Sequence, residues 1–413
     1  MKEMRELKEK SKKISPAMVF IILFGIVSLF SDMTHEGASS IRGAYLSLLG
    51  ASAGTIGFIS GLGELIGYSM RYVFGRITDR THKYWTMAIF GYILDILAVP
   101  ALALVGEHGW IAASILLVIQ RMGKAIKKPA KDTIMSFAAS GEGVGKSFGI
   151  QELLDQIGAF LGPVLLYVVM LFKTEGSTFE IYKTCFVFLL IPGLITIIML
   201  FVTKYKFPNP EHFEPEPKEY IPFKLKDKFI YYIIGISLFA FGFIDYALIV
   251  MHISKTFGTL GQGVVTSSLI NSETIPLLYA GAMLIDAIAA MVFGYMYDRN
   301  GVKALVLSTI ISAPFGVFIF TKTSTASVFI GLALWGVGMG AQESILKAAV
   351  TSIVPKQSRA TGYGIFECSF GVFWFLGSFL MGVLYEKNIL LMVFVSIIAQ
   401  LLAIPFYLKS SKK

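Results

Sequence analysis

The stretch MVFIILFGIVSLFSDMTHEGASSIRG, residues 18–43, joins an apolar run to four titratable side chains. Its first half is apolar enough to enter a bilayer as a helix. Its second half carries Asp32, His35, Glu36 and Arg42 on the same continuous segment. The fold depends on whether this segment crosses a membrane with its charges inside.

The composition of the whole chain indicates a membrane protein. Of its 413 residues, 55% are hydrophobic and only 15% are charged, and the mean hydropathy is +0.70. Soluble domains carry about 25% charged residues. Because backbone groups in lipid must be hydrogen-bonded within the segment itself, we predict an all-α membrane protein.

Hydropathy predicts twelve transmembrane helices in two pseudo-symmetric bundles of six. The predicted spans are residues 17–46, 53–74, 84–105, 110–130, 148–172, 180–203, 229–254, 267–293, 302–321, 327–349, 360–385 and 389–408. A charged, proline-rich stretch at 203–229 is too polar to cross. The predicted division is a basic N-terminus (1–16), a first bundle (17–204), a linker (205–228), a second bundle (229–408) and a tail (409–413).

The basic residues predict the orientation of these spans. Most of the 36 Lys and Arg fall in ends and loops on the side of the N-terminus. The opposite side holds Lys173, Lys183, Lys255, Lys322 and Lys387. By the positive-inside rule, both termini are cytoplasmic. The net charge of +9 is therefore a topology signal and predicts no nucleic-acid partner.

The two halves carry internal repeats. GRITDR (75–80) recurs as GYMYDR (294–299), and LFSD, ending at Asp32, stands opposite GFID, ending at Asp245. GIQELLDQIGAFLG in span five matches GIFECSFGVFWFLG in span eleven. Repeats of equal orientation are typical of transporters that rock two halves about a site near the midplane.

GRITDRTHK resembles the G-x-L-x-D-R-x-G-R-[RK] motif of the major facilitator superfamily, between spans two and three. His82 replaces the second glycine and Tyr84 the last basic residue, whereas the repeat keeps Gly301. The matching residues are Gly75, Asp79, Arg80 and Lys83, with Gly294, Asp298 and Arg299 in the repeat. The resemblance implies a gating latch that holds the outward-facing state, Asp79 meeting Arg359 and Asp298 meeting Lys146.

GAFLGP, residues 158–163, resembles half of a G-x-x-x-G-P-x-x-G-G pattern found in exporting, proton-antiporting members of that family. Leu166 and Tyr167 stand where the last two glycines belong. Small residues four apart also favour close helix packing without any such role. The resemblance slightly favours export by antiport.

Charge inside the membrane is costly, so each such residue is a candidate for function. Asp32, His35 and Glu36 share one helical face at i, i+3 and i+4. Crowded acids in low dielectric can exchange protons near neutral pH, and histidine titrates there already. We predict proton coupling or substrate contact at these residues and at Asp245, and the resemblance to the major facilitator superfamily implies a part in proton coupling for Arg121 of span four. The alternative is an ion pair between Asp32 or Glu36 and an arginine of span two or four.

Further intramembrane acids form a secondary set. Its members are Glu64, Asp95, Glu152, Asp155, Asp286, Glu343 and Glu367. Glu152 and Glu367 lie near the predicted cytoplasmic end, where pairing with a neighbouring Lys or Arg is expected. After Arg121, the lysines of GKAIKKPAKD are expected to form a cytoplasmic rim.

No nucleotide-binding loop within a soluble domain, Cys/His metal spacing or nucleophilic serine motif occurs, which predicts no cofactor and no enzyme activity. The expected function is proton-coupled transport of a small solute by a monomer, across the cytoplasmic (inner) membrane if the source is prokaryotic, with export of an organic or amphiphilic compound by antiport slightly favoured. Uptake of an organic anion is one alternative. Another is divalent-metal transport through Asp32, His35, Glu36, Asp245 and His252, and a third is a receptor that does not transport.

Overall fold

The structure, a computed structural model, describes residues 15–142, 144–173, 175–213, 227–257, 269–353 and 359–411. The first six spans are Pro16–Leu48, Ala53–Thr81, Tyr84–Ala101, Trp110–Glu142, Val144–Phe172, and the pair Thr178–Phe188 with Leu190–Lys206. Spans seven to twelve are Asp227–Gly242 with Tyr246–Thr256, Ile275–Asn300, Lys303–Ser312 with Phe315–Phe320, Thr325–Ile353, Arg359–Lys387 and Ile389–Ser411. All twelve predicted spans have a helical counterpart, and the described residues contain no strand.

Three spans are interrupted helices, which the hydropathy pattern does not reveal. Span seven breaks at Phe243–Asp245, and spans six and nine break at Leu189 and at Ala313–Pro314. At the first break, Asp245 restarts the helix by accepting a hydrogen bond from the Ala247 amide at 2.8 Å.

Ten of the spans are long and apolar enough to cross a membrane by composition alone. Spans two and four are more polar. Span four also runs well beyond its predicted end at residue 130, to Glu142. Its lysines therefore lie within a continuous helix and not in a loop.

Polar caps and special backbone conformations set the helix ends. Ser15 caps span one by accepting from the Met18 amide at 3.0 Å, with Pro16 in the first turn. Span two ends at His82, whose φ of 52° is left-handed, and span eight ends at Gly301, with φ of 58°. The second glycine of the motif thus stands where the chain needs a positive φ, and His82 takes that conformation in its place.

Two faces of the bundle can be distinguished. We call the face where span one begins and span twelve ends the terminal face, and the other the far face. On the terminal face Ser15 donates a hydrogen bond to Glu142 at the end of span four. Residues after span six also fold back here, since the Trp85 indole donates to the Phe207 carbonyl at 3.1 Å. The predicted linker boundaries remain a prediction, because residues 214–226 lie outside the described ranges.

Span one packs on span seven, span two on span eleven and span five on span eight, which joins the halves. Glycines make two of these contacts close. A Cβ on Gly43 would lie 1.9 Å from the Ala247 carbonyl oxygen, and one on Gly57 would lie 2.3 Å from that of Ser378. Helix backbones of opposite halves therefore touch directly.

Alanine at Gly57 is expected to push spans two and eleven apart. Gly67 on the same helix is a matched control, because a Cβ there meets no atom within 4 Å and alanine gains about 1 kcal/mol of helix propensity. Thermal unfolding of the purified protein should give a lower midpoint for Gly57→Ala and an unchanged or higher one for Gly67→Ala. Equal midpoints for the two variants would contradict the close contact.

Candidate functional site

The polar face of span one points into the first bundle at His35. This side chain is only 4% exposed. Its Nδ1 contacts the Gln120 amide, and its Nε2 lies 3.3 Å from the Lys124 ammonium. Glu36 Oε1 lies 3.7 Å from the same Nε2.

Asp32, one turn nearer the terminal face, is half-buried. It interacts electrostatically with Asp155 of span five and with lysines of span four, Lys131 foremost. Asp32 and His35 thus face different parts of span four. The three residues share a face as the spacing predicts, but each meets a different set of partners.

The cations of span four lie inside the bundle, so the expected cytoplasmic rim is wrong for Lys127 and Lys131, which are 6% and 7% exposed. Lys127 donates to Asp95 Oδ2 at 2.5 Å and to Ser31 Oγ at 2.8 Å. Lys131 lies 3.4 Å from Asp155. The two hydrogen bonds of Lys127 thereby join span four to spans one and three.

Arg121 forms its ion pair with Glu64 of span two, Nη2 to Oε1 at 2.7 Å. The alternative considered from the sequence was an ion pair between an arginine of span two or four and Asp32 or Glu36. Arg121 instead pairs with Glu64. The spacing of Arg121, Lys124, Lys127 and Lys131 at three, three and four residues places them along one helical face. That periodicity was the available signal that these lysines point inward with Arg121.

Polar contacts between described residues join the two halves. Tyr279 of span eight donates to Glu36 Oε2 at 2.5 Å, and Arg42 Nη2 lies 3.8 Å from Asp245 Oδ1. Arg71 pairs with Glu367 at 3.4 Å, and Glu386 Oε1 accepts from the Gly54 amide at 2.8 Å. Sequence reasoning missed Tyr279 and Glu386, because neither is marked by spacing or by a repeat.

The other predicted residues are dispersed. Asp286 is buried where span eight meets span ten at Gly340, whereas Glu152 is exposed. Arg80, Lys83 and Arg299 are exposed, and the nearest atom to a Cβ on Gly75 would be in Pro129, at 3.7 Å. The side chains of Asp79, Asp298, Glu343, Lys146 and Arg359 lie outside the described part of the chain, and no described contact of Gly294 bears on the latch, which stays a prediction.

The five residues of the metal alternative are all described, and the fold does not bring them together. His252 contacts the Tyr385 hydroxyl at 3.0 Å, whereas Asp245 faces Arg42. Among the described residues, no group of three or more His, Cys, Asp or Glu could hold a metal ion.

The glycines of GAFLGP hold span five against span one. A Cβ on Gly158 would lie 2.2 Å from the Leu29 carbonyl oxygen, and one on Gly162 would lie 2.2 Å from that of Met33. These contacts flank Asp32 on its own helix. The partial pattern thus has a packing function at the level of the polar face.

The comparison with known families agrees with this architecture. A family model described as Major Facilitator Superfamily matches residues 14–270 and again residues 230–413. The chain belongs to the Major Facilitator Superfamily. The protein Rv2265 of Mycobacterium tuberculosis, described as uncharacterized, is 35% identical over 393 residues, or 93% of this chain and 91% of that protein. The MFS-type transporter MJ1317 of Methanocaldococcus jannaschii is 24% identical over 372 residues, or 89% and 88% of the two chains.

Solved structures share the fold at low sequence identity. The nucleoside transporter NupG aligns with a TM-score of 0.73 at 14% identity, covering 95% of this chain and 100% of its own. A bacterial homolog of the human lysosomal transporter Spinster, inward-facing and occupied, aligns with a TM-score of 0.72 at 14% identity, covering 97% and 98%. The family assignment and the all-helical fold are therefore confirmed, and the protein is a multi-pass membrane transporter of the secondary-carrier type.

Removing Lys127 should be far more costly than removing its neighbour Lys128. Lys127→Met leaves the buried Asp95 uncompensated and is expected to destabilise the protein by about 3–5 kcal/mol. Lys128→Met breaks a partly exposed pair with Asp132 within one helix and should cost about 0–1 kcal/mol. Unfolding of both variants in detergent tests this difference. Adding Asp95→Asn to Lys127→Met should recover part of the loss, and failure to do so would contradict the pairing.

Proposed function

We propose that this Major Facilitator Superfamily protein couples solute transport to protons, with Glu36 as the coupling acid. The observation that carries the proposal is the position of Glu36 between the halves. One carboxylate oxygen accepts from Tyr279 of the second half, and the other lies 3.7 Å from His35 of the first. A change in the charge of Glu36 therefore acts on the contact between halves.

The coupling follows from alternating access. Separation of the halves on the far face removes the Tyr279 hydroxyl from Glu36 and admits water to the carboxylate. In that state Glu36 can exchange a proton with the far-side solution. Closure returns the carboxyl group to the contact with Tyr279 and the vicinity of His35, away from solvent. Protonation before closure thus lowers the cost of burying this group.

Asp32 lies one helical turn, about 6 Å, from Glu36 along the same face. Its partly exposed side chain supports a role on the terminal side, where it interacts with Lys131 and Asp155. We propose that Asp32 exchanges protons with the terminal-side solution. On this face, Glu36 then exchanges protons with the far-side solution and Asp32 with the terminal-side solution, and His35 lies between them.

Orientation and assembly remain part of the proposal. The basic loops support cytoplasmic termini. We propose as well that the protein acts as a monomer and, in a prokaryote, in the inner membrane. Export by antiport rests on the partial GAFLGP pattern alone. The packing of Gly158 and Gly162 against span one would serve transport in either direction.

The test is a transport screen in proteoliposomes with an entrapped pH-sensitive dye. A panel of organic anions, cations and neutral compounds is added under an imposed pH gradient, and transported compounds are those that change the internal pH. Glu36→Gln should still move such a compound down its own gradient but lose accumulation driven by pH. Tyr279→Phe keeps the acid but removes its hydrogen bond to the second half, so accumulation driven by pH should be reduced.

Glu180→Gln provides the control, because this acid is exposed and pairs only locally with Lys183. It should behave as the parent. Accumulation driven by pH in Glu36→Gln at the parental level would refute the coupling assignment. So would loss of coupling in Glu180→Gln to the same degree.

A further inference from the structure

Two arginines of the first bundle face each other across a small cavity. The cavity is about 10 Å³ and is lined by Arg42, Ile59, Ser60, Leu117 and Arg121. Its lining therefore combines two guanidinium groups, one hydroxyl and two apolar side chains. The two guanidinium groups repel each other electrostatically, which favours a negative group between them.

Polar atoms at this cavity have unused hydrogen-bonding capacity. Arg42 is 8% exposed and Ser60 is 5% exposed. Among the described residues, neither Arg42 Nε nor Ser60 Oγ has a hydrogen-bond partner, although both atoms are buried. A buried polar atom left in this way costs about 1–3 kcal/mol, so a ligand that bonds both atoms recovers that cost.

The present partner of Arg42 is held loosely. Its Nη2 lies 3.8 Å from Asp245, whereas charge-assisted hydrogen bonds are about 2.7–2.9 Å long. Asp245 also caps the second helix of span seven through the Ala247 amide. Arg121 differs, because its contact with Glu64 at 2.7 Å is a full ion pair. The forked donor available to a ligand is therefore that of Arg42.

We propose that Arg42, Arg121 and Ser60 form the subsite for the acidic group of an organic anion. The acid accepts from Arg42 Nε and Ser60 Oγ, and Ile59 and Leu117 contact its apolar part. The cavity holds only about one water molecule in this closed arrangement. The substrate therefore enters while the halves are apart, since Arg42 lies at their boundary. The use of this subsite in transport rests on the proposed function.

The balance of charge around the subsite indicates how anion binding is coupled to proton binding. Arg42 and Arg121 are already matched by Asp245 and Glu64, so an anion adds one uncompensated negative charge. The ionisable groups that interact with the pair or with its partners are His35, Glu36, Glu64, Tyr68, Arg71, Lys124, Asp245 and Tyr279. Uptake of a proton by one of the acids restores neutrality. Anion and proton then bind together, as in symport and in contrast to the antiport pattern.

The binding test uses purified protein and three probes of similar shape: benzoate, benzenesulfonate and neutral benzamide. Thermal unfolding midpoints are followed against probe concentration at constant ionic strength. Both anions should raise the midpoint saturably, and benzamide should not. Benzenesulfonate stays ionised throughout, so tighter binding at acidic pH reports proton uptake by the protein.

Ser60→Ala is the decisive variant, because it removes a hydroxyl with no described partner and leaves folding intact. It should weaken anion binding about tenfold, the loss expected for one hydrogen bond to a charged group. Ser237→Ala is the matched control, since its hydroxyl is likewise buried and without a described partner. Arg42→Lys keeps the charge but loses the fork and should weaken binding at least as much.

Equal stabilisation by benzamide, or parental anion binding in Ser60→Ala, would overturn the subsite. The proposed coupling would survive that result if another solute showed Glu36-dependent accumulation. Conversely, the Ser60→Ala variant could lose anion binding while Glu36→Gln keeps accumulation driven by pH. That result would support the subsite and refute the coupling assignment.

Discussion

The structure depends on the compensation of charge within apolar helices. Three cations of span four each have an acid from another helix within ion-pairing distance: Glu64 for Arg121, Asp95 for Lys127 and Asp155 for Lys131. Removing either partner would leave a charge in low dielectric. Spans two, three and five are therefore tied to span four by electrostatics as well as by packing, and the first bundle is organised around that helix.

The two bundles differ in the interactions that hold them together. The described ion pairs inside a bundle belong to the first half. The second half instead surrounds the break in span seven with aromatic rings, where Phe243 packs on Phe315, Trp335 and Trp374. The carbonyls at this break accept from Trp335 and Ser396. A well-packed second half thus presents Asp245 and Tyr279 to a polar first half.

Hydropathy was sufficient to predict the spans and the two halves. The thickness of the bilayer fixes the length of a span, and the absence of water in the lipid requires its backbone to be helical. Orientation within the bundle was harder to predict. The face shared by Asp32, His35 and Glu36 followed from local spacing, but the contact of Glu36 with Tyr279 depends on how spans 243 residues apart in sequence are rotated. The inward direction of Lys127 was readable from its spacing to Arg121, yet position near a predicted end suggested solvent. His82 shows that a motif position can be defined by backbone conformation and not by residue type.

The direct backbone contacts at Gly43 and Gly57 limit how the far face can open. Two side chains in contact can follow each other by changing rotamer, but two main chains cannot. A gap of about 0.5–1 Å already forfeits a quarter to a half of the dispersion attraction between such atoms. Separation of these helices therefore loses packing energy from the first ångström of movement, and the far face is held shut most firmly where the main chains meet.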